Sequence, residues 1–148
     1  IRLCNVYGPR QHFEKIIPKF VQNLLNNKQL KIHGDGKQIR HYLYVDDVVR
    51  AIELIFLKGK SKMIYNIGTE NQFDVLDIVK LLLNKLKIKK NLDEIVVFIT
   101  PRSFSEKRYC VTTSNLVKSL GWNEQTSFEQ GLDKTIQWIR ANPNYWDK

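Results

Sequence analysis

Apolar positions along the chain change period several times, and each change marks an element. Residues 1–7, "IRLCNVY", alternate apolar and polar side chains and predict a strand. Residues 8–15 open on Gly-Pro and turn polar, which predicts a loop. Ile16, Ile17, Phe20, Val21, Leu24 and Leu25 recur at helical spacing, so 17–27 reads as an amphipathic helix. Pro18 suits its first turn, where a missing N–H costs nothing. "QLKIHG" (29–34) predicts a short strand, "GDGK" (34–37) a turn, and "RHYLY" (40–44) another extended segment. The next helix starts near Asp46 and Asp47, whose carboxylates suit the positive end of a helix, and it carries Val48, Val49, Ile52, Ile55 and Phe56.

The second half repeats this alternation. "MIYNIG" (63–68) predicts a strand, and Asp74 caps a helix bearing Val75, Ile78, Val79, Leu82 and Leu86. "EIVVFI" (94–99) predicts a strand. "SNLVKSLGW" (114–122) predicts a short helix closed by Gly121 in a left-handed cap. Ser127 and Gln130 form a capping box that opens a last helix, with Phe128, Leu132, Ile136 and Ile139 on one face. Strands alternating with helices predict an α/β layered architecture, and several short irregular strands point to a small mixed subdomain within it.

Composition narrows the class. With 148 residues, 43% hydrophobic and 26% charged, the chain can bury one sizeable core and is not of the disordered kind. No apolar run approaches the roughly 20 residues of a membrane span, so no membrane partner is expected. Cys4 and Cys110 have no second Cys or His at metal-ligand spacing, and read as thiols in a reducing, cytoplasmic setting. No metal is expected. The chain begins at Ile1 inside an apparent strand, and is expected to be a piece of a longer protein.

A net charge of +9 has three readings. A nucleic-acid surface would cluster Lys and Arg with aromatics; here the basic residues are spread, and no nucleic-acid partner is expected. The densest run, "NKLKIKK" (84–90), closes an amphipathic helix, where the helix dipole favours cations. An anionic small substrate would use only a few of the charges. Several polar residues also stand alone with structural explanations. Asn5 is a turn former before Gly-Pro, Arg40 a surface arginine beside a turn, and His33 a strand-edge histidine. Asp46 and Asp47 are explained as helix-start carboxylates and are assigned no catalytic role.

Taken together, six segments resemble one family. "NVYGPRQHFEKIIPKF", "IHGDGKQIRHYLYVDDVVRAI", "YNIGTENQ", "RSFSEKRY", "LGW" and "TSFEQGLDKTIQWIRANPNYW" occur in the order and spacing of nucleoside-diphosphate-glucose 4,6-dehydratases, which are extended short-chain dehydrogenase/reductases. The Asn–x–Tyr-Gly-Pro and Gly-Asp-Gly–x3–Arg segments are shared with nucleotide-sugar epimerases and decarboxylases. The stretch from Gln11 to Phe20 and the Arg102 to Tyr109 segment are more particular to dehydratases. "IHGDG" and "ANPNYW" resemble the UDP-glucose dehydratase domain of eukaryotic rhamnose synthases. Two departures stand out: Pro101-Arg102-Ser103 where the family has Asp-Arg-Pro, and Phe13 where a Pro usually precedes Glu-Lys.

The resemblance implies that the chain is the C-terminal, substrate-binding half of such an enzyme. Residues 1–9 and about 63–82 would complete a Rossmann-like sheet with its helices, and the remainder would form the sugar-nucleotide subdomain. It implies substrate contacts at Asn5, Lys15, Ile16, Lys31, Ile32, His33, Arg40, Gln72 and Arg102, with Arg40 and Arg102 gripping the diphosphate. Lys31, Ile32 and His33 would line the nucleobase pocket, and Val6 and Tyr7 would pass beside the nicotinamide of NAD. In the family, NAD takes hydride from C4 of the glucose ring of UDP- or dTDP-glucose, water leaves across C5 and C6, and the hydride returns to C6. That chemistry uses a Tyr–x3–Lys pair, an Asp-Glu pair and a Gly-rich phosphate loop. No Tyr here is followed four positions later by Lys, no Gly-rich fingerprint follows a strand, and the one Asp-Glu, Asp93-Glu94, lies in the wrong region. No catalytic residue is therefore assigned, and this chain alone is expected neither to bind NAD tightly nor to turn over. The whole protein is expected to be a homodimer.

Overall fold

The computed structural model describes residues 1–101, 103–104 and 106–146. The predicted strand at 1–7 is present but is broken at Cys4 into β1 (Arg2–Leu3) and β2 (Asn5–Tyr7). The halves take different partners. β1 lies parallel to β5 (Asn66–Ile67), with Arg2 opposite Asn66. β2 lies parallel to β4 (Ile39–Tyr44), with Asn5 opposite Tyr42 and Tyr7 opposite Tyr44. At the junction, the Cys4 amide still donates to the Ile67 carbonyl at 3.2 Å.

β4 is the hub. Its first residues also pair antiparallel with β6 (Gln72–Phe73) and parallel with β8 (Arg108–Tyr109). A separate parallel pair joins β3 (Leu30–His33) to β7 (Val96–Ile99). Parallel pairs need crossover connections, and the helices supply them. α1 (Ile16–Leu25) links β2 to β3, and α2 (Val45–Lys58) leads from β4 towards β5. α3 (Val75–Leu86) and the single turn α4 (Leu92–Ile95) lead to β7, and α5 (Asn115–Ser119) and α6 (Phe128–Ala141) close the chain.

Burial follows the periodicity. Ile17, Phe20, Val21 and Leu24 of α1, Ile78, Val79 and Leu82 of α3, and Leu132, Ile136 and Ile139 of α6 form the larger core with Tyr7, Tyr42 and Tyr44 of the sheet. Cys4, Leu43, Val48, Ala51, Ile67, Val117 and Trp122 form a second core on the other side of the sheet. α1 and α3 each pack against α6, and Lys85 of α3 bridges both carboxylate oxygens of Asp133 of α6 at 2.8 and 2.9 Å. The Ser127–Gln130 capping box is formed, and the Asp74 carboxylate accepts from the Asp77 amide.

Gly131 sits where α6 crosses the sheet. A Cβ there would run into the Tyr7 hydroxyl and come within 2.8 Å of the Tyr44 ring. Overpacking of this kind costs about 1–3 kcal/mol. Gly131→Ala is expected to lower the thermal midpoint by roughly 3 °C or more, read by circular dichroism; an unchanged midpoint would show that α6 can shift without cost.

Candidate functional site

The site is built around the start of β2, the loop that follows this strand and the first four residues of β4. Side chains of a strand alternate between faces, so the register fixes which residues share one. Asn5 lies opposite Tyr42, and Arg40 lies two residues earlier on β4, opposite Phe73 and Tyr109. Asn5, Tyr42 and Arg40 therefore face the same way. Burial pushes the Tyr42 phenol up to about 12, against the opposing pull of the Arg40 charge and a side-chain hydrogen bond with Asn5. At neutral pH the ring is a protonated phenol hydrogen-bonded to the asparagine, with the guanidinium's charge close enough to be felt.

Arg40 is half-buried. Its Nη1 donates to its neighbour's carbonyl, Ile39 O, and its Nη2 to Glu106 O, each at 2.8 Å. A guanidinium has five N–H donors, so five less two leaves three for an anion. Two carbonyl anchors fix the planar fork in place, and a fixed fork suits a pair of phosphate or carboxylate oxygens.

The loop after β2 ends in a second cationic element. Lys15 is the N-cap of α1 and makes no side-chain cap bond, and no acidic residue occupies the first turn. The positive end of a ten-residue helix, with a lysine at its cap, is thus left without an acid of its own. Ile16 opens that helix, half-buried.

Tyr7 and Val6 are placed less openly. Tyr7 is in the core at 1% exposure, and its hydroxyl donates to Phe128 O at 2.9 Å. Burial, then the charge of Glu124, raises its phenol far above the ordinary tyrosine range. Only its backbone can meet a ligand. The Val6 carbonyl is occupied by the Gln11 side-chain amide at 2.6 Å. Cys4 is equally inert, its thiol pushed up to about 11 by burial.

The remaining residues lie apart from this face. Gln72 is opposite His41, on the side of β4 away from Arg40, and accepts from Arg108 Nη2 at 3.1 Å. Lys31, Ile32 and His33 belong to the β3–β7 pair, with Lys31 exposed and Ile32 in the core. The His33 ring contacts Thr100 O through Nδ1 at 2.8 Å, which makes Nδ1 the protonated nitrogen. Beyond His33 lies an open cleft of about 840 Å³ lined by Gly34, Lys37, Gln38, Phe98, Pro101 and Lys107 among others. The cleft's two lysines and its exposed Phe98 were not singled out by sequence reasoning, since each is one of many lysines and phenylalanines. Arg102 falls outside the described residues. Among the described residues no group of three His, Cys, Asp or Glu side chains could hold a metal ion, and no helix is long and apolar enough to cross a membrane.

Asp47 has a larger part than the sequence suggested. It is fully buried, and its carboxylate accepts from the amides of Gln125 at 2.9 Å and Thr126 at 3.0 Å and pairs with Arg50. The Asp47 carbonyl also accepts from Trp122 Nε1 at 2.9 Å. It staples the start of α2, next to β4, to the segment that leads into α6. Nearby, Glu124 accepts from Thr69 Oγ1 at 2.6 Å and from Asn71 Nδ2 at 3.2 Å, pinning the chain after β5. Partners this distant in sequence leave no local pattern to read.

Residues 1–68 match the model of the NAD dependent epimerase/dehydratase family. A trifunctional UDP-glucose 4,6-dehydratase/UDP-4-keto-6-deoxy-D-glucose 3,5-epimerase/UDP-4-keto-L-rhamnose-reductase of Arabidopsis thaliana is 42% identical over 96% of this chain and 21% of its own length. The dTDP-D-glucose 4,6-dehydratase of Dictyostelium discoideum is 36% identical over 98% of this chain and 40% of its own. The chain thus spans well under half of the curated relatives it matches. The dTDP-glucose 4,6-dehydratase of Streptomyces venezuelae, solved with NAD bound, superposes with a TM-score of 0.91 at 35% identity, over 99% of this chain and 44% of that one. The UDP-glucose 4-epimerase of Thermotoga maritima, solved with UDP-glucose, gives 0.87 at 34% identity, over 96% and 45%. The fold is that of a Rossmann-like extended short-chain dehydrogenase/reductase.

Proposed function

Because the chain is related to nucleoside-diphosphate-sugar dehydratases and epimerases, we propose that it is the C-terminal, substrate-binding half of an NAD-dependent nucleoside-diphosphate-glucose 4,6-dehydratase serving deoxysugar synthesis. The observation that carries this reading is the shared face of Asn5, Tyr42 and Arg40, with its anchored guanidinium and three donors to spare. Arg40 and the Lys15 end of α1 supply the positive charge that a diphosphate needs. Asn5, the first residue of β2, is assigned to hold a sugar hydroxyl or the adjoining phosphate. The cleft beyond His33, with exposed Phe98 as a ring face, is large enough to admit a nucleobase.

NAD supplies the hydride acceptor in such a reaction, but the residues here do not build a dinucleotide site. No loop with the Gly–x2–Gly–x2–Gly spacing follows a strand, since the turn after β3 carries only Gly34 and Gly36; the Tyr7 ring is buried, and the Val6 carbonyl is taken. We assign NAD mainly to residues outside this chain, and derive no step through it. The part of this chain is to bind and orient the sugar nucleotide, UDP-glucose or dTDP-glucose.

Calorimetric titration of the chain with UDP-glucose and with dTDP-glucose tests this. Saturable binding of at least one is expected, without formation of a 4-keto-6-deoxy product. No binding of either would sink the substrate assignment, and product from this chain alone would sink the division of labour. A 4-epimerase is the second reading, favoured by the TM-score of 0.87 to the Thermotoga maritima enzyme. The enzyme carrying this chain then converts UDP-glucose to UDP-galactose, whereas a dehydratase releases the 4-keto-6-deoxy sugar. A sugar-nucleotide-binding protein without catalysis would do neither.

A further inference from the structure

We propose that Trp146 and Gln11 are positioning residues: together they strap the 8–15 segment onto the exit of β2, so that the last turn of the described chain holds the loop that presents Lys15. The inference rests on the ligand reading above only for what the loop presents, not for the strap itself. At its far end, Asn142 caps α6, its side-chain amide donating to Trp138 O at 2.9 Å, and the Tyr145 amide donates to Asn142 O at 3.2 Å. That turn folds the tail back onto its own helix. Trp138, Tyr145 and Trp146 then pack edge to face, with ring centroids 4.8, 5.8 and 5.5 Å apart. The packing aims the Trp146 indole N–H at Gln11 O, 3.2 Å away and 135 residues earlier. Gln11 passes the connection on, its side-chain amide reaching Val6 O at 2.6 Å.

Among the described residues, the loop's own bonds are short-range: Gln11 N to Gly8 O at 3.4 Å, Lys15 N to His12 O at 3.0 Å and Glu14 N to His12 Nδ1 at 3.4 Å. Arg10 sits at a φ of 65°, a conformation uncommon for non-glycine residues. His12, Phe13 and Glu14 are exposed. Two side chains thus fix a segment that runs from the Asn5 strand to the N-cap of α1. Tyr and Trp are well suited to this, each being a rigid apolar body with one polar handle.

Trypsin cleavage after Arg10 and Lys15 reads the strap directly, comparing the unmodified chain with Trp146→Phe, which keeps an aromatic ring and removes the N–H, and with Gln11→Met. Loss of one hydrogen bond is expected to speed cleavage at these two sites roughly fivefold in each variant, with the melting midpoint and cleavage elsewhere unchanged. UDP-glucose binding should weaken by a similar factor. Unchanged cleavage in both variants overturns the strap, as does faster cleavage at all sites with a lowered midpoint, which would mean general destabilisation. If cleavage accelerates only in the loop while the unmodified chain binds neither UDP-glucose nor dTDP-glucose, the strap stands and the ligand reading falls.

Discussion

Asp47→Ala is expected to leave the chain largely unfolded at moderate urea, with a loss of about 3 kcal/mol or more. The carboxylate is fully buried and serves the amides of Gln125 and Thr126 and the Arg50 guanidinium at once. Alanine strands all three, and an uncompensated buried charge is the costlier part. That loss is a large share of the roughly 5–15 kcal/mol that holds a domain together. Asp47→Asn keeps one oxygen acceptor but turns an NH₂ towards a backbone N–H, so it should recover only part of the deficit. Urea unfolding followed by tryptophan fluorescence suits the test, since the Trp122 indole also bonds to this residue. A midpoint for Asp47→Ala close to that of the unmodified chain would show that the 122–126 segment finds other partners.

Arg40→Gln is expected to act on binding rather than on folding. A charge-assisted contact is worth about 1.5–3 kcal/mol, so affinity for UDP-glucose or dTDP-glucose should fall roughly 10–100-fold. The same change frees Glu106 O, which the arginine now holds, and loosening of the β8 approach must be separated from loss of charge. Uridine and thymidine, which lack the diphosphate, provide the separation. Their binding should be unaffected if the guanidinium meets phosphate, and should weaken in parallel if the arginine only supports the backbone. Calorimetry on both ligand pairs gives the answer, and equal losses for nucleoside and nucleotide sugar would remove Arg40 from the diphosphate site.

How much of this was legible depends on how local each signal is. α1, α3 and α6 announce themselves because one buried stripe repeats every 3.6 residues, and their caps at Asp74 and Ser127 are written within three residues of the helix start. The sheet is harder. The strand predicted at 63–68 is reduced to Asn66–Ile67, and β6 and β8 are two residues each, too short for alternation to show. At 94–99 the first residues form a helical turn instead, because Glu94 closes a capping box with Asn91 and Ile95 stays helical before β7 begins at Val96. The candidate site divides in the same way. Asn5 and Arg40 were named from the sequence, yet that they share a face with Tyr42 follows only from the β2–β4 register. Asp47 and Trp146 owe their roles to partners 79 and 135 residues away, and no spacing rule reaches that far.

The change of partner at Cys4 has a dynamic consequence. The backbone from Ile1 to Tyr7 is stitched first to β5 and then to β4, so neither layer can breathe alone without dragging the same few peptide units with it. In amide exchange the Cys4 proton, held by Ile67 O, would report an opening on the β5 side of the crossing point.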